Sequence, residues 1–170
     1  MSIALQIRPA QLEDAETIYQ FISDLAEYEK LSHMLELNVE MIKKEIFGAK
    51  PTAEVVIAEI IDEKQQKHTA GFALFFHNFS TFLCKRGLYL EDLYVKPQWR
   101  SHGVGKALLS HLASVAIERQ CGRFEWCVLD WNEPAINFYK SQGAKVMEDW
   151  RICRVEGEAI KELANASSLS

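Results

Sequence analysis

Apolar positions change period several times along the chain, and each change marks an element. An apolar run from Ile3 to Arg8 reads as a strand that Pro9 ends. From Gln11 to Glu29 the residues Leu12, Ala15, Ile18, Tyr19, Ile22, Leu25 and Ala26 recur at helical spacing and form one stripe. Asn38 is a natural N-cap for a short helix over Val39–Phe47, and Gly48 closes it. Ala53 to Ile61 is an almost unbroken apolar run, read as a buried strand. The polar turn Asp62–Lys67 follows, then a hairpin partner over His68–Asn78 and a loop over Phe79–Lys85. Leu88 to Val95 is a further strand, stopped by Pro97, and Val104, Leu108, Leu109, Leu112, Val115 and Ala116 return to helical spacing. Arg123 to Leu129 reads as the next strand. Asn132 to Gln142 reads as a short helix, with Pro134 in its first turn and Gly143 at its end. Val146–Met147 and Trp150–Val155 read as two closing strands, and Gly157–Ala164 as a final helical turn. The order β-α-α-β-β-β-α-β-α-β-β predicts an α/β fold with a mixed sheet covered by helices on both faces.

Composition narrows the picture. A chain of 170 residues with 48% hydrophobic content is expected to form one domain, over 1–164, with a short disordered tail at 165–170. There is no long apolar run of membrane-spanning length, and MSIALQIRPA lacks the pattern of a signal peptide, so a cytoplasmic protein is expected. Cys84, Cys121, Cys127 and Cys153 form neither a C-x-x-C pair nor a zinc-spaced cluster; reduced, mostly buried thiols and no bound metal are expected. The net charge of −5 argues against nucleic acid or an anionic membrane as the main partner and suits a cationic ligand.

The junction between the strand ending at Val95 and the helix starting at Val104 carries the first chemistry. It reads Arg100-Ser101-His102-Gly103-Val104-Gly105. Two glycines free the backbone to approach a ligand, and the following helix N-terminus offers unpaired N–H groups to the same space. Such a junction suits a diphosphate, but it also suits an ordinary glycine-eased turn. The dinucleotide fingerprint fails because Leu108 stands where its third glycine belongs. The P-loop fails because Arg100 stands where its first glycine belongs and Ala107 replaces the hydroxyl residue.

Together with the preceding Leu90-Glu91-Asp92-x-x-Val95, the spacing Arg-x-x-Gly-x-Gly resembles the acetyl-CoA motif of the GNAT N-acetyltransferase superfamily. A second ordered match is Trp131-Asn-Glu-Pro-Ala-Ile-Asn-Phe-Tyr139-Lys-x-x-Gly143. Ile7-Arg8-Pro9-Ala10, Glu27-Tyr28-Glu29-Lys30-Leu31 and Gly157–Ala164 extend the likeness over nearly the whole chain, nearest to the thialysine branch of the spermidine/spermine acetyltransferase group. The resemblance implies the GNAT fold, acetyl-CoA as cosubstrate, a small-molecule amine as acceptor, and a homodimer built on the C-terminal strands.

Acetyl transfer to an amine needs a neutral nucleophile, donors for the oxyanion and a proton for the thiolate. A lysine-like ammonium titrates near ~10.4, so freeing it at neutral pH costs roughly 4.6 kcal/mol. Adjacent Glu91 and Asp92 would point to opposite sides of a regular strand. The resemblance implies a distortion there that brings Glu91 to the amine, as catalytic group and substrate ligand, with Asp92, Tyr28, Glu29 and Trp126 lining the channel. It implies main-chain bonds from Leu93, Tyr94 and Val95 to the pantetheine arm, with the Leu93 N–H on the oxyanion. Gly103, Val104, Gly105 and neighbouring Ser101, His102 and Lys106 would surround the phosphates; Arg100 would contact phosphate or hold the loop. Asn132, Pro134 and Ala135 would border the cofactor, and Tyr139, two helical turns after Asn132, would be the general acid. Bland readings remain for each: Lys106 and Arg100 as solvated cations, His102 as a loop residue, Leu93 and Val95 as core, Tyr139 as packing. Glu148 and Asp149 before Trp150 form a shorter acidic loop than the resemblance would require. Peptide acetylation and a non-catalytic acyl-CoA sensor remain the competing functions.

Overall fold

The computed structural model describes residues 4–166, which fall into two compact units, one ending at Leu129 and one beginning at Asp130. The first unit contains a five-stranded sheet in chain order: β1 Ala4–Pro9, β2 Glu54–Ile61, β3 Lys67–Ser80, β4 Lys85–Val95 and β5 Phe124–Trp126. Neighbours are antiparallel except β4 and β5, which are parallel and joined by the crossover helix α3, Val104–Glu118.

Helix α1, Ala15–Tyr28, and helix α2, Val39–Phe47, cover one face. Phe21 stacks on Phe72 with centroids 5.2 Å apart, and Ile18, Ile42, Val55, Ile57 and Tyr94 complete that core. Alternation along β2 turns Val56, Ala58 and Ile60 to the opposite face, where α3 contributes Val104, Leu108 and Leu112. β2 is buried on both faces, which is why its sequence reads as a continuous apolar run rather than an alternating one.

Local signals set several boundaries. Asn38 Oδ1 accepts from the Met41 N–H at 3.0 Å, and α2 ends at Phe47 before Gly48. The expected helix from Gln11 instead opens with a 3-10 turn, Leu12–Asp14, because the Asp14 carboxylate is engaged twice. It accepts from the Gln11 N–H at 2.8 Å and pairs with Arg8 at 2.7 Å. Arg8 also donates to Glu59 at 2.9 Å, so one guanidinium ties β1, β2 and the start of α1 together.

Other expectations are corrected. The β3–β4 hairpin is longer than its apolar runs suggest, and the ladder reaches Ser80 and Lys85. β5 is three residues long, not the seven of Arg123–Leu129, because its pairing with β4 stops at Trp126. In the second unit, helix α4 spans Glu133–Ser141 and helix α5 Glu158–Asn165. No strand forms over Val146–Met147 or Trp150–Val155: a strand needs a ladder partner, and these segments pair with none among the described residues. Asn165 ends α5 rather than starting a tail, and 167–170 lie outside the described residues. The cysteines are free thiols but not buried: Cys84, Cys127 and Cys153 are exposed because they sit in turns or irregular segments rather than on core-facing positions.

Candidate active site

The middle of β4 is irregular on its β3 side and, among the described residues, has no ladder partner on its β5 side. Leu74 opposes Asp92 while Phe75 opposes Leu90, so Glu91 is the extra residue of a β-bulge. On the other edge β5 pairs only with Leu88, Tyr89 and Leu90, and it ends at Trp126 opposite Leu90. From Glu91 to Val95, β4 is therefore paired by β3 alone among the described strands. An edge of this kind can take an extended chain as an additional strand. Leu93 and Val95 are half-buried on this stretch and Tyr94 is core.

Three carboxylates gather in the first unit near the bulge. Asp92, placed between Glu91 and Leu93, is pushed from 3.8 up to about 7, by burial first and then by the negative charges of Glu91 and Glu29. Burial also raises Glu29, which caps the C-terminal end of α1. Glu91 itself is exposed. Trp126 sits edge-on to Phe124 at 4.9 Å between centroids. The arrangement concentrates negative charge where water is only partly present, which favours a cationic ligand over a neutral one.

The turn after β4 is built for backbone exposure. Gly103 adopts φ +80° as N-cap of α3, in the left-handed region, and a Cβ placed there would meet no atom within 4 Å. Ser101 is also left-handed, at φ 62°. Val104 is buried and anchors the helix start, while Gly105 and exposed Lys106 lie in its first turn. The combination of open space, a left-handed backbone that favours glycine and the N-terminal end of α3 fits an anionic group held by main-chain N–H groups. His102 Nδ1 donates to the Arg100 carbonyl at 2.7 Å, which fixes the ring within the loop. Arg100 donates from Nε to the Val95 carbonyl at 3.0 Å, and its guanidinium lies over the Tyr28 and Tyr94 rings at 5.0 and 5.7 Å.

Within the second unit, Asn132 is 7% exposed and caps α4: its Oδ1 accepts from the Ala135 N–H at 3.3 Å, with Pro134 in the first turn where no N–H is needed. Tyr139 is half-buried beside Phe138, with ring centroids 5.4 Å apart.

Two features escape the sequence. The resemblance puts Asp92 in the substrate channel, but its affinity for a proton depends on surroundings that only folding creates; its position near two leucines, Leu90 and Leu93, is the available hint. Nothing in the sequence marks Tyr89, yet its hydroxyl lies 3.0 Å from Cys127 Sγ and burial raises its pKa. Among the described residues, no group of three or more His, Cys, Asp or Glu side chains is gathered so as to hold a metal ion, and no helix is long and apolar enough to cross a membrane.

Residues 15–144 match the Acetyltransferase (GNAT) family. A thialysine N-epsilon-acetyltransferase of Mus musculus is 40% identical over 165 residues, which cover 94% of this chain and 96% of that protein. An L-ornithine N5-acetyltransferase of Arabidopsis thaliana is 30% identical, covering 93% and 87%. Among solved structures, an integron cassette protein from the mobile metagenome of V. cholerae superposes with a TM-score of 0.74 at 25% identity, over 94% of this chain and 97% of that one.

Proposed function

The chain belongs to the Acetyltransferase (GNAT) family and is an acetyl-transferring enzyme that acts on an amine; we propose that it moves the acetyl group of acetyl-CoA to the distal primary amine of a small cationic amino acid such as thialysine. The observation that carries this reading is the carboxylate cluster of Glu29, Glu91 and Asp92 at the bulge, beside the uncovered stretch of β4. The identity to named thialysine acetyltransferases supports the choice among amines.

In this reading the turn residues Ser101 to Lys106 hold the diphosphate of acetyl-CoA by main-chain N–H groups, with Lys106 adding charge. The main chain of Leu93, Tyr94 and Val95 runs beside the pantetheine arm as a neighbouring strand would. Asn132 organises the start of α4, with Pro134 and Ala135 bordering the cofactor. The ammonium of the substrate enters among Tyr28, Glu29, Glu91, Asp92 and Trp126. Carboxylates attract that cation, yet attraction alone keeps it protonated and unreactive. A carboxyl poised near neutral pH eases the conflict, since it accepts a proton more readily than an ordinary carboxylate. Glu91 and Asp92 therefore act together. Glu91 takes the proton, directly or through water, and Asp92 is the neighbouring carboxyl poised near neutral pH that can share it. The free amine attacks the thioester carbonyl in a ternary complex, the Leu93 N–H faces the developing oxyanion, and the Tyr139 phenol protonates the departing thiolate. No cysteine forms an acyl-enzyme.

The same reading includes a cytoplasmic homodimer. Trp150 is 73% exposed and Ile152 68%, apolar surface that pairing of two C-terminal segments would cover. The test is thiol release from acetyl-CoA with a panel of thialysine, ornithine, spermidine and a peptide with a free N-terminus and a lysine. Turnover highest with thialysine supports the proposal. Turnover only with the peptide replaces it by protein acetylation, and tight CoA binding without any turnover replaces it by a sensor.

A further inference from the structure

An arginine at the start of a phosphate-binding turn is expected to reach for phosphate. Here its bonds run elsewhere. Arg100 Nε donates to the Val95 carbonyl at 3.0 Å, and the guanidinium lies 5.0 Å from the Tyr28 ring centroid and 5.7 Å from that of Tyr94. Among the described residues no carboxylate oxygen comes within 4.0 Å of it. The cation is held by the Tyr28 and Tyr94 rings, by the Tyr94 hydroxyl and by one main-chain carbonyl.

Those partners belong to different elements. Val95 ends β4, three residues after Asp92. Tyr94 is core and packs against Phe21 of α1 at 6.2 Å. Tyr28 is the last residue of α1 and directly precedes Glu29, whose carboxyl belongs to the acidic cluster. One planar group therefore joins the turn that leads to Gly103 with the helix end that carries Tyr28 and Glu29. A guanidinium suits this role because it can stack and donate in the same plane, which an ammonium cannot.

We infer that Arg100 is a positioning residue that couples the cofactor turn to the amine side through its stacking on Tyr28. The inference rests on the proposed assignment of those two regions. Arg100 holds the end of α1, where Glu29 faces the amine, against the turn that takes acetyl-CoA. By linkage, acetyl-CoA at the turn and the amine at the end of α1 then favour each other's binding by the same factor.

The test is a double-mutant cycle on Arg100→Gln and Tyr28→Leu, with thialysine as the amine and acetyl-CoA saturating. Each single variant is expected to raise the amine KM about three- to tenfold, with kcat changing less than KM. The double variant should exceed the worse single by less than twofold, because both changes cut one link. Arg100→Lys should give an intermediate KM. In the free protein, amide hydrogens of residues 24–31 should exchange faster in Arg100→Gln at unchanged melting temperature. A double variant whose fold-change in KM equals the product of the two single fold-changes overturns the inference, as does an Arg100→Gln effect confined to acetyl-CoA affinity. If the wild type acetylates none of the four amines in the panel, the functional reading fails, and the exchange measurement decides the Arg100–Tyr28 link alone: unchanged rates over 24–31 refute it.

Discussion

Replacing Asp92 by Asn removes a carboxyl that the fold holds against its ionisation. Moving a carboxyl from 3.8 to about 7 weighs about 4 kcal/mol at 1.36 kcal/mol per pH unit. The direction follows from proton counting. The native state binds the Asp92 proton more tightly than the unfolded state, so the group's contribution is present below pH 3.8 and is lost as pH rises through about 7. Asparagine is neutral throughout and loses nothing. The gain of Asp92→Asn over wild type should therefore be near zero at pH 4, grow steadily, and level off above pH 7. For a chain of this size about 4 kcal/mol corresponds to a melting temperature higher by about 8–16 °C at pH 8. Equilibrium urea unfolding from pH 4 to 8 measures the curve. The variant should also raise KM for a cationic amine, since one of three attracting carboxylates is gone. A stability difference independent of pH over that range would show that Asp92 titrates as an ordinary surface carboxylate, and the account of the acidic cluster would fall with it.

Four further outcomes are expected. Tyr139→Phe should fold and bind CoA but lose roughly ten- to a thousandfold in kcat; unchanged kcat with chemistry rate-limiting removes the general-acid role. Gly103→Val forces a β-branched residue to φ +80° and puts its side chain into the open space at the turn. Calorimetry should show CoA affinity falling far more than amine affinity, and equal CoA affinity would move the phosphate site elsewhere. Thialysine and spermidine competing for limiting enzyme should yield mainly acetylthialysine by mass spectrometry, and an excess of acetylspermidine reassigns the substrate while leaving acetyl transfer intact. Sedimentation at micromolar concentration should give a dimer, and Trp150→Glu should shift it toward monomer; a wild-type monomer refutes the assembly.

What can be read in advance is what local chemistry decides. The limits of α2 follow from Asn38 and Gly48, both within one turn of the helix they bound. The start of α3 follows from Gly103, whose conformation glycine alone tolerates easily. Strands are different, because they exist only where an edge receives them. The apolar run at Arg123–Leu129 shortens to Phe124–Trp126, and Trp150–Val155 forms no ladder among the described residues despite its apolar content. The bulge at Glu91 is implied by resemblance but invisible to alternation, since two adjacent acids carry no sign of which strand register will absorb them. Arg100 shows the same limit: its neighbours in sequence suggest phosphate, and its neighbour in space, Tyr28, lies 72 positions earlier.

The bulge and the early end of β5 act together. An unbulged β4 would send Glu91 and Asp92 to opposite faces, dividing the negative charge between them. A full-length β5 would satisfy the edge of Glu91–Val95 and leave no room for an extended cosubstrate. With both irregularities at Leu90–Glu91, acid groups and an unpaired strand edge arise within one or two residues of each other. An acyl carrier lying along that edge brings its thioester to the carboxylates without any loop having to move. This geometry predicts that repairing the irregularity is more damaging than removing any one acid. Deleting Glu91 restores the alternation beyond Leu90 at the cost of one carboxylate, whereas Glu91→Gln loses the charge and keeps the bulge. If strand geometry organises the site, the deletion should abolish turnover and lower CoA affinity, while Glu91→Gln lowers turnover with CoA affinity unchanged. Equal CoA affinity in the two variants, both folded by circular dichroism, would reduce the bulge to a passive feature of the sheet.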